Sequence, residues 1–87
     1  MTYRIEFSAA ARRALAEDLP EAVAAACVEF IRGPLAENPR RVGKPLRAEL
    51  DGRYSARRGE FRIVYSIVES RIVVRVIRIA HRRDVYR

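Results

Sequence analysis

The chain has few of the residues from which disulfides, metal sites and membrane spans are built. It contains one cysteine, Cys27, and one histidine, His81, so an internal disulfide is excluded and a reducing compartment is indicated. No spacing of thiolates and imidazoles resembles a metal site. No stretch reaches the ~18–20 apolar residues of a membrane helix, and the N-terminus lacks a signal-peptide pattern. We therefore expect a cytoplasmic protein that uses no metal, no cofactor and no membrane.

Two common catalytic motifs are missing as well. There is no glycine-rich phosphate loop, and no nucleophile elbow surrounds any serine. The residue types of a Ser/His/Asp triad are present, but nothing in their spacing supports one. The side chains that remain available for chemistry are arginines together with serine, tyrosine and the single histidine.

What the chain does have is a strong and uneven positive charge. Its 18 Lys and Arg against 11 Asp and Glu give a net charge of +7. Residues 1–39 hold 4 basic and 6 acidic residues, a net of −2, whereas residues 40–87 hold 14 and 5, a net of +9. Thirteen of those 14 are arginine, which binds phosphate in bidentate geometry. This asymmetry indicates a nucleic acid or an acidic protein as partner; a solvated basic surface is the alternative.

The length and the apolar pattern predict one α+β domain over residues 1–87. Alternation over Thr2–Phe7 predicts a strand, and Ser8 is placed to cap a helix that runs from Ala9 to about Asp18. A second helix ends or kinks at Gly33-Pro34. The C-terminal half predicts an antiparallel sheet of three to four strands. We expect the two helices to form a hairpin on one face of that sheet.

The central feature is a predicted β-hairpin with Arg58-Gly59 as its turn. A two-residue loop there pairs Arg57 with Glu60 and Ser55 with Arg62. A second two-residue turn at Glu69-Ser70 leads into the last strand. Because side chains alternate between faces, this register separates an apolar face from a basic one. The basic face carries four arginines: Arg53, Arg57, Arg62 and Arg75.

Arginines clustered with serine, histidine and tyrosine suit the stabilisation of a pentavalent phosphate. Cations neutralise the charge that develops on phosphate oxygens, and a histidine can transfer a proton near neutral pH. RNA needs no metal-bound water, because its own 2′-OH can attack the adjacent phosphate. Simpler interpretations exist: Arg62 as a surface residue, His81 as a hydrogen-bonded, partly buried side chain, and Tyr86 as an anchor of the C-terminus. Composition and spacing alone support a small basic domain that binds nucleic acid.

Three segments together resemble the RelE toxins of the RelE/ParE superfamily of bacterial type II toxin–antitoxin modules. They are Arg41–Leu46, Leu50–Tyr65 and His81–Tyr86. The second contains a Gly-x-(Phe/Tyr)-Arg core followed by two hydrophobic residues and Tyr, and the third reads His-Arg-x-Asp-Val-Tyr. Each motif alone is weak, but the pair is fairly specific. The resemblance covers nearly the whole chain and is strongest to actinobacterial members.

This resemblance implies an endoribonuclease that cuts mRNA in the ribosomal A site without a metal. It also implies a cognate antitoxin that wraps the toxin in a higher-order hetero-oligomer. By position, Arg62 matches the central phosphate-binding arginine of the family, Arg82 a second catalytic arginine, and Tyr86 the C-terminal tyrosine. His81 lies near the position of a catalytic histidine in related members and is a candidate general acid.

The resemblance also implies an RNA-binding surface. Arg53 and Arg57 fall where some members carry lysines of a basic triplet, and Ser55 stands where the middle lysine would be. That departure leaves the general base open. Lys44 occupies roughly the position at which one branch has a glutamate base, so that mechanism does not carry over. We expect RNA contacts from Arg53, Ser55, Arg57, Arg58 and Lys44.

Two other functions remain open at this level. ParE-type members of the superfamily share the fold, act on DNA gyrase and generally lack the catalytic set. A plain nucleic-acid-binding module would bind RNA with strong salt dependence but would not be toxic.

Overall fold

The computed structural model of the chain describes residues 2–46, 52–81 and 83. In this part the helices are α1 (Ala9–Arg13), α2 (Glu21–Phe30) and α3 (Pro39–Val42), and π-helical turns continue α1 over Ala14–Asp18 and α2 over Ile31–Leu35. The strands are β1 (Arg4–Phe7), β2 (Lys44–Pro45), β3 (Arg53–Arg58), β4 (Phe61–Val68) and β5 (Val73–His81). No helix in the described ranges is long and apolar enough to cross a membrane.

The helical hairpin forms with the predicted Ser8 cap, and of the two outcomes predicted at Gly33-Pro34, an end or a kink, the end is absent. Ser8 caps α1, and its hydroxyl accepts a hydrogen bond of 3.0 Å from the Ala11 N–H. The second helix does not end at Gly33-Pro34. It continues with π-helical turns to Leu35, and these wide turns accommodate a proline that has no N–H to donate.

The sheet contains five described strands in the order β1-β5-β4-β3-β2. The predicted α+β class is confirmed: the predicted N-terminal strand joins an antiparallel sheet of four strands, which makes the whole sheet mixed. Its N-terminal strand β1 pairs in parallel with β5, whereas the other three pairs are antiparallel. The helices and the strands β2, β3 and β4 all lie between β1 and β5 in the chain, so the connection is long enough for a parallel pair.

The hydrophobic core lies between the helices and one face of the sheet. The helices contribute Ala11, Ala14, Cys27, Ile31 and Leu35, and the strands contribute Ala56, Ile63, Tyr65, Val74, Val76 and Ile79. Helices α1 and α2 pack on this face, whereas among the described residues only the end of α3 borders the opposite face, through Val42. We call that opposite face, defined by the side chains that share it with Arg62, the open face.

The β3–β4 turn is one residue further along the chain than predicted. Its two residues are Gly59 and Glu60, because Arg58 pairs with Phe61. Gly59 has a φ of 64°, and the first central position of a type II′ turn favours glycine for this reason. Each cross-strand partner therefore moves by two residues, so that Arg57 lies opposite Arg62. A shift of two residues keeps every side chain on its predicted face.

The β4–β5 turn also differs from the prediction. Instead of two residues at Glu69-Ser70, a 3₁₀ turn spans Glu69–Arg71, and Ile72 follows with a φ of 52°. Pairing begins at Val68 opposite Val73. A left-handed conformation is unfavourable for a β-branched residue, so this turn is strained at Ile72.

A β-bulge interrupts the pairing of β4 with β5. Tyr65 lies opposite Val76 and Val64 lies opposite Arg78, so Ile77 has no partner on β4. The two-residue turn predicted at Glu69-Ser70 would pair Arg75 with Val64, but Arg75 lies opposite Ser66. Arg75 nevertheless shares the open face, as predicted.

Candidate nucleic-acid interface

The open face is organised in three rows of cross-strand neighbours, each of which contains two basic residues. The first row is Arg57, Arg62 and Ala80; the second is Lys44, Ser55, Val64 and Arg78; the third is Arg53, Ser66, Arg75 and the acidic Glu6 of β1. Neighbouring rows are two residues apart along β3 and β4, or roughly 7 Å, and on β5 the bulge makes the step from Arg78 to Arg75 three residues. The basic residues thus form a continuous positively charged track on one side of the sheet.

A cavity of about 290 Å³ opens on this face where the first two rows meet α3. It is lined by Val42, Lys44, Ser55, Arg57 and Arg62. Arg57 and Arg62 are direct cross-strand neighbours. Like charges in such positions destabilise a sheet, and an anion bound between them would relieve the repulsion. The cavity therefore combines a recess with the charge that a phosphate needs.

The serine in this cavity is an unusual feature. Ser55 is only 6% exposed, and its hydroxyl has no hydrogen-bond partner among the described residues. A buried hydroxyl in that state costs about 1–3 kcal/mol of stability. A ligand oxygen in the cavity would satisfy it.

The floor beneath the cavity is built on Tyr65, which is fully buried. Its hydroxyl donates a hydrogen bond of 2.5 Å to the Pro39 carbonyl, and its ring stacks on Tyr54 with centroids 5.6 Å apart. Burial raises the pKa of Tyr65 to about 12. Gly43 crosses directly over this hydroxyl, since an added Cβ would lie 2.1 Å from the Tyr65 oxygen. The missing side chain of Gly43 therefore lets the chain bring Lys44 beside Ser55.

A surface network holds α3 in place. Arg40 donates hydrogen bonds of 2.9 Å to both the Glu69 carboxylate and the Tyr54 hydroxyl, and the Tyr3 hydroxyl donates to the same carboxylate at 2.9 Å. The hydrogen bond from Tyr3 lowers the pKa of Glu69 and raises that of Tyr3. These groups are exposed, so we regard the network as a positioning contact rather than a large source of stability.

Two predicted site residues lie on the other side of the sheet. His81 pairs with Phe61, its ring packs edge-on against Phe61 with centroids 5.5 Å apart, and its Nε2 lies 3.5 Å from the Glu60 carboxylate. Arg58 also pairs with Phe61 and borders a recess beside Cys27. The structure therefore does not bring either side chain next to Arg62, and their proposed roles stay predictions.

The other predicted residues divide into two groups. Arg53 shares the open face but lies two rows from Arg62, opposite Ser66. Arg82 and Tyr86 lie outside the described residues, so their roles stay predictions from the sequence.

Sequence reasoning missed two residues that shape this surface, Gly43 and Arg78. Gly43 is needed because of a close approach that only the tertiary structure creates. Arg78 reaches the open face because of the bulge. The sequence does contain a signal for the orientation of Arg78. Regular alternation along β5 would place this arginine toward the core, where an unpaired charge is strongly destabilising.

No group of three or more His, Cys, Asp or Glu side chains within the described ranges is arranged as metal ligands would be. Cys27 is buried on α2, and burial raises the pKa of its thiol. It therefore serves as a small core residue, as predicted.

Comparison with known proteins relates the whole chain to bacterial toxins. Residues 2–86 match the family described as ParE toxin of the type II toxin–antitoxin system parDE. Toxin RelE of Mycobacterium tuberculosis is 52% identical over 85 residues, covering 98% of this chain and 87% of that protein. Toxin RelG of the same organism is 48% identical over 87 residues, covering 100% and 99%. A chain of the toxin–antitoxin complex RelBE2 from M. tuberculosis has 46% identity and a TM-score of 0.89, covering 93% of this chain and 99% of that chain.

Proposed function

Because the chain belongs to the ParE-toxin family of type II toxin–antitoxin systems, we propose that it is a toxin that cuts mRNA in the ribosomal A site. The observation that carries this proposal is the open-face cavity, where Arg57 and Arg62 meet a buried, unsatisfied Ser55 hydroxyl. The similarity to toxins named RelE and RelG favours the nuclease branch of the superfamily.

The proposed reaction is an attack by RNA on itself. The 2′-OH passes its proton to a general base and attacks the adjacent phosphorus, and the bond to the 5′ oxygen breaks. The products are a 2′,3′-cyclic phosphate and a 5′-OH. Negative charge builds up on the non-bridging oxygens, and the guanidinium groups of Arg62 and Arg57 stabilise it through charge-assisted hydrogen bonds. No step in this scheme requires a metal.

The leaving 5′ oxygen must gain a proton, for which the sequence offers His81 or Arg82. Since His81 packs against Phe61 on the helix side, we favour Arg82 for this role. Tyr86 is proposed to stack on a flanking base, and Arg53 to hold the RNA backbone further along the track.

We also propose that a cognate antitoxin neutralises the chain in a hetero-oligomeric complex. The related RelBE2 structure is such a toxin–antitoxin complex. The antitoxin would bind by placing a helix in a groove or by adding a strand to the sheet. Both the ribosome and this partner place the proposed activity in the cytoplasm.

The direct test is Arg62→Ala. Removing the central cation should lower the rate of mRNA cleavage by about 10²–10³-fold, the usual loss for one transition-state donor. Purified variant and native protein should be compared on programmed ribosomes, and mRNA ends should be mapped by primer extension after induction. Arg13→Ala on α1 removes the same charge from the helix side and is the matched control. A folded Arg62→Ala protein that cleaves at the native rate would exclude Arg62 from the site.

The second candidate is a gyrase inhibitor, which the ParE description of the family favours. Codon-phased cuts in mRNA support the nuclease. A DNA-damage response with intact mRNA would support gyrase inhibition and overturn the nuclease proposal.

A further inference from the structure

Building on the proposed function, we propose that Arg78 binds the RNA phosphate adjacent to the one that is cut. The open face would then hold two consecutive phosphates, one in the first row of side chains and one in the second. Arg78 is a positioning residue in this scheme, because it fixes the register of the RNA strand rather than contacting the reacting atoms.

The β-bulge is what makes Arg78 available. Without the extra residue Ile77, strict alternation from Val76 would point Arg78 toward the helices. A residue just beyond the end of β1 contacts the bulge: the Ser8 hydroxyl donates a hydrogen bond of 2.5 Å to the Ile77 carbonyl. The residue that caps α1 thus also satisfies the bulged backbone and so helps to direct Arg78 to the open face.

The position of Arg78 relative to Arg62 fits a second phosphate. Arg78 lies opposite Val64, and Arg62 lies opposite Ala80, so the two arginines occupy neighbouring rows. The rows are roughly 7 Å apart and the strands about 4.8 Å apart. The two backbones are therefore about 8.5 Å apart along the diagonal, a distance that two long arginine side chains can adjust to successive phosphates of an RNA strand.

The surroundings of Arg78 also suit an anion. Arg78 and Lys44 stand at the two ends of the second row, and the unsatisfied Ser55 hydroxyl lies between these two residues. None of the four residues in the row is acidic. The third row differs, because Arg75 lies 3.6 Å from the Glu6 carboxylate. The cross-strand neighbours of the second row thus comprise two cations, a hydroxyl and a valine, whereas the third row includes an acid.

The test pairs a protein change with an RNA change. Ribosomes are programmed with a synthetic mRNA in which one linkage at a time, on each side of the cleavage site, is a neutral methylphosphonate. For the native toxin, we expect slower cleavage when the linkage bound by Arg78 is neutral. The Arg78→Ala variant should cleave unmodified mRNA about tenfold more slowly, the value of one charge-assisted contact. Its cleavage rate should not change further when the linkage that Arg78 binds is made neutral.

Controls separate this inference from the proposed function. Arg13→Ala should retain the native rate and the native pattern of sensitivity, and equal urea midpoints for all variants would exclude a loss of folding. If Arg78→Ala keeps the native sensitivity at every linkage while Arg62→Ala is inactive, the second phosphate site is wrong and the nuclease proposal stands. If native toxin cleaves no programmed mRNA, both are overturned.

Discussion

Replacing Gly43 by alanine tests the contact that positions Lys44 at the open-face cavity. The backbone of Gly43 has a φ of −108° and a ψ of 178°, which any residue can adopt. The effect of the substitution must therefore come from the added methyl group. An ideal Cβ would lie 2.1 Å from the Tyr65 hydroxyl oxygen and 2.9 Å from the Ser55 carbonyl oxygen. Neither neighbour can move freely, since Tyr65 is fully buried.

The expected cost has two parts. Overpacking a buried position destabilises a protein by about 1–3 kcal/mol. Displacing the Tyr65 hydroxyl also breaks its hydrogen bond to the Pro39 carbonyl, which costs about 1–3 kcal/mol when the groups stay buried. A movement of Tyr65 that relieves the overpacking also breaks its hydrogen bond to Pro39. We therefore expect the free energy of unfolding to fall by about 2–4 kcal/mol in total. Lys44 should move with the loop, so cleavage should slow as well.

A double-mutant cycle isolates the contact. Tyr65→Phe removes the oxygen that lies nearest to the added methyl group, leaving the ring carbon at 2.9 Å. The double variant should therefore be more stable than the sum of the single losses by at least about 1 kcal/mol. Free energies of unfolding come from urea titration followed by circular dichroism.

Gly33→Ala is the matched control, because an added Cβ at Gly33 meets no atom within 4 Å. Alanine in this helical segment should be neutral or stabilising by roughly 0.5–1 kcal/mol. Two results would refute the reasoning: native stability of Gly43→Ala, or strict additivity with Tyr65→Phe.

Two further predictions concern the floor of the cavity. Ser55→Ala removes a buried hydroxyl that has no described partner, so the free energy of unfolding should rise by about 1 kcal/mol while the rate of mRNA cleavage falls. A loss of both stability and activity would instead indicate a structural hydroxyl. Tyr65 should ionise at about pH 12 in an ultraviolet titration, after ordinary tyrosines. Because the unfolded chain releases this proton from about pH 10, stability should fall by about 1.4 kcal/mol per pH unit between pH 10 and 12, and Tyr65→Phe should lack this contribution.

Local chemistry in the sequence was enough to predict the elements and the faces of the central strands. Ser8 caps its helix because a serine at the N-cap position accepts a hydrogen bond from a backbone N–H of the first turn. Arg53, Arg57 and Arg62 share one face, as predicted, because an error of two residues in register leaves the alternation intact. The family resemblance was also carried by local motifs and is confirmed over residues 2–86.

The details of the candidate site depended on contacts between distant parts of the chain. The parallel pairing of β1 with β5 joins residues about 70 positions apart, and no local pattern specifies it. The Ile77 carbonyl at the bulge accepts a hydrogen bond from the distant Ser8, and the need for glycine at position 43 comes from the Tyr65 hydroxyl.

The sequence by itself therefore determined which residue types are present, which elements they form and which faces are basic, because propensity and alternation act over a few neighbouring residues. Only the tertiary structure decided which basic residues meet. It brought Lys44, Ser55, Arg57 and Arg62 to one cavity, turned Arg78 to the same face and left His81 beside Phe61. The physical reason is that turn position and a single bulged residue set the register, and register decides which side chains face each other.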